Sequence, residues 1–558
     1  MKKLILIIST LFICHSALTS QTKDNVIINA LSEEINRNKA GLNTEGKDYP
    51  TFISYAMLDG RTLKIEATLG SIVQVYDKPM RNCGVRLFLG DYKCNSDCEY
   101  NGRFLTKSGS ISYDSKQIQR DYWLVTDKMY KIAVTDYASK LTNKKRVQMT
   151  KEEEELPDYL TWDPVKKIVP DVQFEMNKDK WIDITKKLSA IFLNYPELYA
   201  SKVTFNADDY NYYIVNTEGS QVKQPSTIAS LSLQASVRTE DGVEYTDNLD
   251  LFYPSDIDMP SYDKLKEKTE FFAKTLSDYA KAEIMDEYYS GPVLYLDDAV
   301  ADIFAKTLVS TKGLLVQRTG NVTDNIFGVI FSSISTSDKK TLEYRIGQRV
   351  LDKNLTVSNL SSVDNYNGVK LAGYYQVDGD AVEPEKETVL IENGIMKKVL
   401  NGRIPTLETR YTTGSLRLTM ESKNIAARVA PGSLLIKGKS TKTRNELVDE
   451  LINLAKADSL KHAYIITRND AVNYVYKIDV NTLEQHLVQR VDIGKASIGM
   501  LKNIEGISGT LLPINYMMAQ KIPSTIIAPD AMLLKDVELC GADVKREKKA
   551  SLKNPLLR

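Results

Sequence analysis

Three carboxylates, Asp297, Asp298 and Asp302, stand where the apolar run Gly291 to Leu296 meets a stretch whose apolar residues Val300, Ile303, Phe304 and Leu308 recur at helical spacing. The pattern predicts a short buried strand running into an amphipathic helix. Carboxylates in such a cluster could hold a hard cation through oxygen. Calcium or magnesium takes six or more oxygen ligands, however, and positions five apart on a regular helix diverge by about 140°, so Asp297 and Asp302 cannot share one face. The plainer reading is acidic side chains placed favourably at the positive end of the helix dipole, with ordinary surface exposure.

Imidazole and thiolate chemistry is scarce. The chain has three histidines, and beyond the leader only His462 and His486 remain. Neither has Cys, Asp or Glu neighbours at metal-ligand spacing, so both read as structural or exposed. Mechanisms needing several histidines are excluded, and neither a Gly-x-Ser-x-Gly elbow nor a P-loop is present. The cysteines after the leader are Cys83, Cys94, Cys98 and Cys540. In an oxidising compartment Cys94 and Cys98 could close a small disulfide loop or stay as free thiols; a metal knuckle would need two further ligands nearby.

The leader itself is Lys2-Lys3, an apolar run from Leu4 to Ile13, and small or polar residues through Ser20. This is expected to be a secretory signal peptide over residues 1–20, because the apolar run is about half the roughly 20 residues a spanning helix needs. Lipid anchoring at Cys14 is the less favoured alternative, since bulky residues precede it where Gly, Ala or Ser is usual. The destination expected is the periplasm. Lysine plus arginine and aspartate plus glutamate number 73 each, so no overall field recruits nucleic acid or an anionic membrane.

The elements that would position these groups divide into an α+β region at 21–288 and a mostly β region at 289–544, followed by a basic tail at 545–558. The first region has room for two subdomains. An amphipathic helix is expected over 24–41. A hairpin is expected from Phe52 to Ala67 around Asp59-Gly60, and a meander continues through Ser71 to Tyr76 and Val85 to Gly90. The charged segment 127–169, with Lys151-Glu152-Glu153-Glu154-Glu155, reads as a solvated face or linker. A helix is expected at 181–194, strands and turns from 202 to 242, and a helix capped by Ser261. In the second region, Asn393-Gly394 between Val389–Glu392 and Ile395–Leu400 is the strongest hairpin signal. A helix over 443–457 and strands at 463–467, 473–478 and 486–493 follow.

Several blocks, taken in order over residues 200 to 544, resemble the TldD/PmbA family, whose members were described as modulators of DNA gyrase and are understood as paired metallopeptidase subunits. They are Val215-Asn216-Thr217-Glu218-Gly219, Gly291-Pro292-Val293-Leu294, Ile346-Gly347-Gln348-Arg349-Val350, Val377-Asp378-Gly379-Asp380-Ala381-Val382, Leu390-Ile391-Glu392-Asn393-Gly394-Ile395-Met396, Thr413-Gly414-Ser415-Leu416-Arg417, Pro431-Gly432-Ser433-Leu434 and Pro523 through Pro529. The family's catalytic subunits carry His-Glu-x-x-x-His on the helix after the Gly-x-Val-type strand. There the imidazoles bind zinc, and the glutamate acts as general base on the metal-bound water. In register, this chain has Asp297 and Asp302 at the histidine positions and Asp298 at the glutamate. Cys540 falls too late to match the family's cysteine ligand.

The resemblance therefore implies a PmbA-like, non-catalytic subunit with no metal or cofactor of its own. Its partner would be a TldD-like subunit carrying the zinc, and unfolded peptide would lie along a sheet edge between them. The Asn393-Gly394 hairpin is the candidate edge. Rival readings are a stand-alone peptide-binding or scaffold protein, an active hydrolase using an unrecognised site, and a surface lipoprotein with another task.

Overall fold

The computed structural model describes residues 23–42, 49–97, 104–146, 150–310, 313–318, 341–421, 424–439, 442–518 and 522–545. The segment expected to be a signal peptide, Cys14, Cys98 and nearly all of the basic tail lie outside them. Helix α1, residues 23–41, buries Ile27, Leu31 and Ile35 against strands that follow it.

Strands β1 (Phe52–Thr68) and β2 (Ser71–Phe88) are antiparallel along their whole length, and the chain reverses at Leu69-Gly70, where φ is 45° and 80°. The expected turn at Asp59-Gly60 is overturned: both residues lie in mid-strand. Pairing on two sides overrides the local turn preference, because β1 is bonded to β2 and also to β5 (Leu198–Asn216). Asp59 is buried and bonded by Arg81 Nε at 2.8 Å, and Lys23 Nζ lies at the same distance. Gly60 serves close packing, since a Cβ there would sit 2.0 Å from the Asp209 carbonyl oxygen. The meander expected from two short strands, Ser71 to Tyr76 and Val85 to Gly90, is the single strand β2.

Between β2 and β5 come β3 (Leu105–Ser108), α2 (Ser115–Lys144), α3 (Lys151–Glu155), β4 (Lys166–Ile168) and α4 (Lys178–Ala190), which runs on as a 3-10 turn to Asn194. The linker reading of 127–169 fails over its first part. α2 buries Ile118, Tyr122, Val125 and Tyr130, and its Lys140 is buried with Asp158 at 2.7 Å, so charge here is internal wiring. The α3 glutamates are solvated as expected; none of that helix is buried. Strands β5, β6 (Gln221–Arg238) and β7 (Glu244–Tyr253) complete a seven-stranded sheet in the order β3-β2-β1-β5-β6-β4, with β7 also on β6. In α4, Trp181 stacks on Phe205 of β5, ring centroids 4.0 Å apart. Helix α5 (Tyr262–Tyr279) buries Leu265, Phe272 and Leu276 against this sheet's other cluster, and Ser261 precedes it without making the expected capping bond.

The chain then gives β8 (Glu283–Ile284), β9 (Tyr289–Leu296) and α6 (Asp298–Leu308). Next come β10 (Leu355–Leu360), β11 (Asn365–Tyr366), β12 (Val369–Lys370), β13 (Glu387–Glu392), β14 (Ile395–Met396), β15 (Leu416–Glu421), β16 (Asn424–Val429) and β17 (Ser433–Gly438). Helix α7 (Arg444–Ala457) opens on a capping box between Thr443 and Glu446. After it run β18 (His462–Asn469), β19 (Asn473–Asp479), β20 (Gln485–Gln489), β21 (Val491–Asp492), β22 (Gly506–Ile507), β23 (Leu511–Met518), β24 (Ile522–Pro529) and β25 (Ala531–Gly541). One six-stranded sheet is ordered β14-β13-β10-β17-β24-β23, and an eight-stranded sheet runs β21-β25-β9-β18-β19-β20-β8 with β22 on β25. Helix α6 packs on β18 of one and β24 of the other, so its apolar face, Val300, Ile303 and Phe304, joins the largest core. The architecture is α+β, helix and antiparallel sheet first and mostly sheet after, as the sequence implies.

The Asn393-Gly394 hairpin forms as expected, with φ of 49° and 78°, but its second strand β14 is two residues long. Where the first sheet meets the later region, two of the sequence blocks come together. Arg403 takes Glu218 through both terminal nitrogens, at 2.7 and 2.5 Å, and its backbone N–H donates to Asp380. Arg86 of β2 donates to Asp380 Oδ1 at 2.7 Å, with both side chains 1% exposed, and the Tyr159 hydroxyl donates to the same oxygen. Burial works against the Asp380 anion, and Arg86 and Arg403 outweigh it, holding its pKa below the usual range. Burial and the neighbouring Asp380 charge push the Asp378 carboxyl well above the usual carboxylate range.

Candidate functional site

The three carboxylates at the start of α6 do not act together. The buried strand β9 ends at Leu296, and Asp297 turns the chain with φ 51° and ψ −120°, donating its backbone N–H to Asp530 O at 2.9 Å. That turn throws the Asp297 side chain outward. It makes no capping bond to α6, and Arg444 of α7 grips it through both terminal nitrogens at 2.9 Å. Asp297 thus stands at the helix start and is 39% exposed, with Arg444 as an ion-pair partner.

Asp298 and Asp302 are four apart, one turn of α6, and Lys306 continues the same stripe. Asp302 is not an ordinary surface residue. It is half-buried, accepts a 3.0 Å hydrogen bond from the Tyr516 hydroxyl, and burial lifts its carboxyl to about 6 against the pull of Tyr516 and Lys306. Asp298 opens to solvent, yet the surrounding protein bulk raises it too, with Arg468 and Lys268 acting downward. Lys306 donates to the Asn469 backbone and side-chain oxygens. Arg468 is bonded to Asp247 Oδ2 at 2.8 Å, where the Tyr474 hydroxyl also donates at 2.7 Å. The stripe thus faces the β18–β19 turn and the edge strand β23. Lys306 was foreshadowed by its spacing from Asp302; Tyr516, Arg468 and Arg444 are brought in by tertiary contacts for which nothing local in the sequence gives a sign.

This arrangement does not fit zinc. The donors are carboxylates, Asp297 is already neutralised by a guanidinium, and the two positions that would share the ion diverge. Among the described residues no group of three or more His, Cys, Asp or Glu side chains is placed to hold a metal. His462 is half-buried at the far end of β18, about 20 Å of strand from Arg468, and His486 is exposed on β20. Cys94 carries a free thiol, as do Cys83 and Cys540; burial pushes the Cys83 thiol up to about 12. Cys98, the disulfide partner suggested for Cys94, lies outside the described residues. No helix among the described residues is long and apolar enough to cross a membrane.

No family model matches the sequence, and no curated protein matches it. Solved structures do match in shape. A Thermotoga maritima protein named as a modulator of a DNA gyrase superposes with a TM-score of 0.58 at 14% identity, over 91% of this chain and 100% of its own. TldE from Thermococcus kodakarensis gives 0.56 at 12% identity, over 92% and 100%. A Bacteroides thetaiotaomicron protein, also named as a modulator of DNA gyrase, gives 0.54 at 10% identity, over 93% and 98%. Across more than nine-tenths of its length, this chain has the TldD/PmbA fold.

Proposed function

We propose that this chain is a secreted, periplasmic, non-catalytic subunit that pairs with a zinc-bearing TldD-like partner and helps hold unfolded peptide for cleavage. The observation that carries the reading is the fate of the α6 carboxylates: Asp297 is tied to Arg444, and Asp302 to Tyr516. Residues spent on positioning a helix and an edge strand are not available as a ligand set for zinc.

The strand best suited to receive peptide is β23 rather than the Asn393-Gly394 hairpin. β23 ends the six-stranded sheet, runs for eight residues, and is only partly buried along its whole length, with β7 beside it where Asn515 Nδ2 donates to Phe252 O. An extended peptide can add to such an edge through backbone hydrogen bonds, which read shape with little demand on side-chain identity. β14 offers two residues and gives far less purchase.

The test is zinc analysis and a peptidase assay on the purified chain, alone and with a secreted homologue bearing His-Glu-x-x-x-His. The expected result is no stoichiometric zinc and no cleavage alone, with cleavage and co-purification in the pair. Peptidase activity from the isolated chain would sink the non-catalytic reading, and failure to associate would favour a stand-alone scaffold.

A further inference from the structure

Among the described residues, the strongly buried arginines are matched to carboxylates, with one exception. Arg81 pairs with Asp59, Arg86 with Asp380, Arg403 with Glu218 and Arg490 with Asp241. Arg417, on β15, is 7% exposed and forms no ion pair among the described residues. Its guanidinium lies over the Tyr375 ring at 4.2 Å and reaches only two backbone carbonyls, Pro431 O at 3.3 Å and Gly373 O at 3.5 Å. These are long contacts for a buried cation. Burial draws its pKa below the usual arginine value, opposed by Tyr375, Tyr212 and Asp378.

Arg417 is also a wall of an open cleft of about 360 Å³ between the end of the first sheet and the β12 region, with Thr227, Asp258, Lys370, Tyr374 and Pro523 among its lining. The acidic groups there are unequal. Asp171 is held by Lys223 at 2.7 Å and Asp364 by Lys370 at 3.0 Å, whereas half-buried Asp258 forms no ion pair among the described residues and feels Lys370 only beyond contact distance. The cleft therefore offers one unmatched guanidinium and one unmatched carboxylate. Two hydrogen bonds behind the lining hold it: the Tyr375 hydroxyl, whose ring lies under Arg417, donates to Gly414 O at 2.9 Å, and the lining residue Ala372 donates its N–H to Asn515 Oδ1 at 2.9 Å.

We infer that this cleft binds the α-carboxylate of a small zwitterion, a free amino acid or a short peptide, with Arg417 taking the carboxylate and Asp258 the ammonium end. A planar guanidinium pinned on an aromatic ring is pre-organised for a carboxylate's two oxygens. A phosphate dianion is disfavoured by the three aspartates in the lining. The site is separate from the Asp302 stripe, because Asn515 and Tyr516 are consecutive on β23 and so leave opposite faces of the strand.

Calorimetry on the full mature chain tests this with trialanine, trialanine amide, N-acetyl-trialanine, alanine and inorganic phosphate. Trialanine or alanine should bind, and the preference between them identifies which source is used. Amidation of the C-terminus should weaken binding at least tenfold, and N-acetylation by several-fold. Arg417→Met should abolish binding. Asp258→Asn, which removes no buried cation, should remove the penalty of N-acetylation while leaving that of amidation. Equal binding of the free acid and the amide, phosphate binding as well as trialanine, or no binding by the folded wild-type chain would overturn the proposal. The inference does not depend on subunit pairing: a chain that binds trialanine but no homologue would uphold it and defeat the pairing model.

Discussion

The Tyr516 hydroxyl donates a 3.0 Å hydrogen bond to Asp302 Oδ1, joining the edge strand β23 to the helix α6. One contact thus holds the last strand of the six-stranded sheet against the helix that bears the clustered carboxylates.

Asp302 should make stability depend on pH in a particular direction. Its folded-state pKa of about 6 lies above the unfolded value of about 3.9. Between those values the native state holds the extra proton, so the group favours folding in acid and that contribution is lost as pH rises through 6. Asp302→Asn should therefore gain on the wild type between pH 4.5 and 7.5, by at most about 2 kcal/mol. Urea midpoints of both proteins at the two pH values measure it; an unchanged difference would refute the assignment.

Asp380→Asn and Arg403→Met should each cost roughly 3–5 kcal/mol, because each strands a buried charge that its partner now leaves uncompensated. Denaturant unfolding reads this directly. The cluster has little slack, since Arg86 Nε and Nη1 already lack a hydrogen-bond partner.

Arg444→Ala is the contrasting case. Arg444 and Asp297 are both 39% exposed, so water screens their bidentate pair. Loss of the arginine should lower stability by less than about 1 kcal/mol, detectable as a small shift in the same unfolding curve.

Two glycines separate backbone strain from crowding. Gly347 and Gly394 have φ of 83° and 78°. A Cβ at Gly347 meets nothing within 4 Å, whereas at Gly394 it would lie 2.5 Å from Leu351 O and 2.7 Å from Asp352 O. Gly347→Ala should cost about 1 kcal/mol from the left-handed backbone alone. Gly394→Ala should cost clearly more, and equal losses in Tm would contradict the crowding argument.

Periodicity and turn chemistry carried the parts of the fold that are locally determined. The β9–α6 junction, the Asn393-Gly394 hairpin and the Thr443-capped helix are all legible because each is specified by residues within a few positions of one another. Asp59-Gly60 misled for the opposite reason: strands on both sides of β1 hold it straight, and the true reversal falls at Leu69-Gly70. The charged stretch after residue 127 hid a helix because some of its charges, such as Lys140, are matched across the fold. At the candidate site, the α6 carboxylates were visible as residue types. Their separation toward Arg444 and Tyr516, more than 140 positions away in each case, was not.

The Arg86–Asp380 and Glu218–Arg403 pairs bear on how the chain can be taken apart. Each pair draws one member from before residue 288 and one from after it; Arg86, Asp380 and Arg403 are buried, and Glu218 is 11% exposed. A fragment ending there would carry Arg86 and Glu218 into solvent or leave them buried without counterions, and its complement would do the same with Asp380 and Arg403. Neither fragment should fold by itself, while the two expressed together should reassemble, which makes the break a natural place to build a split reporter from this protein.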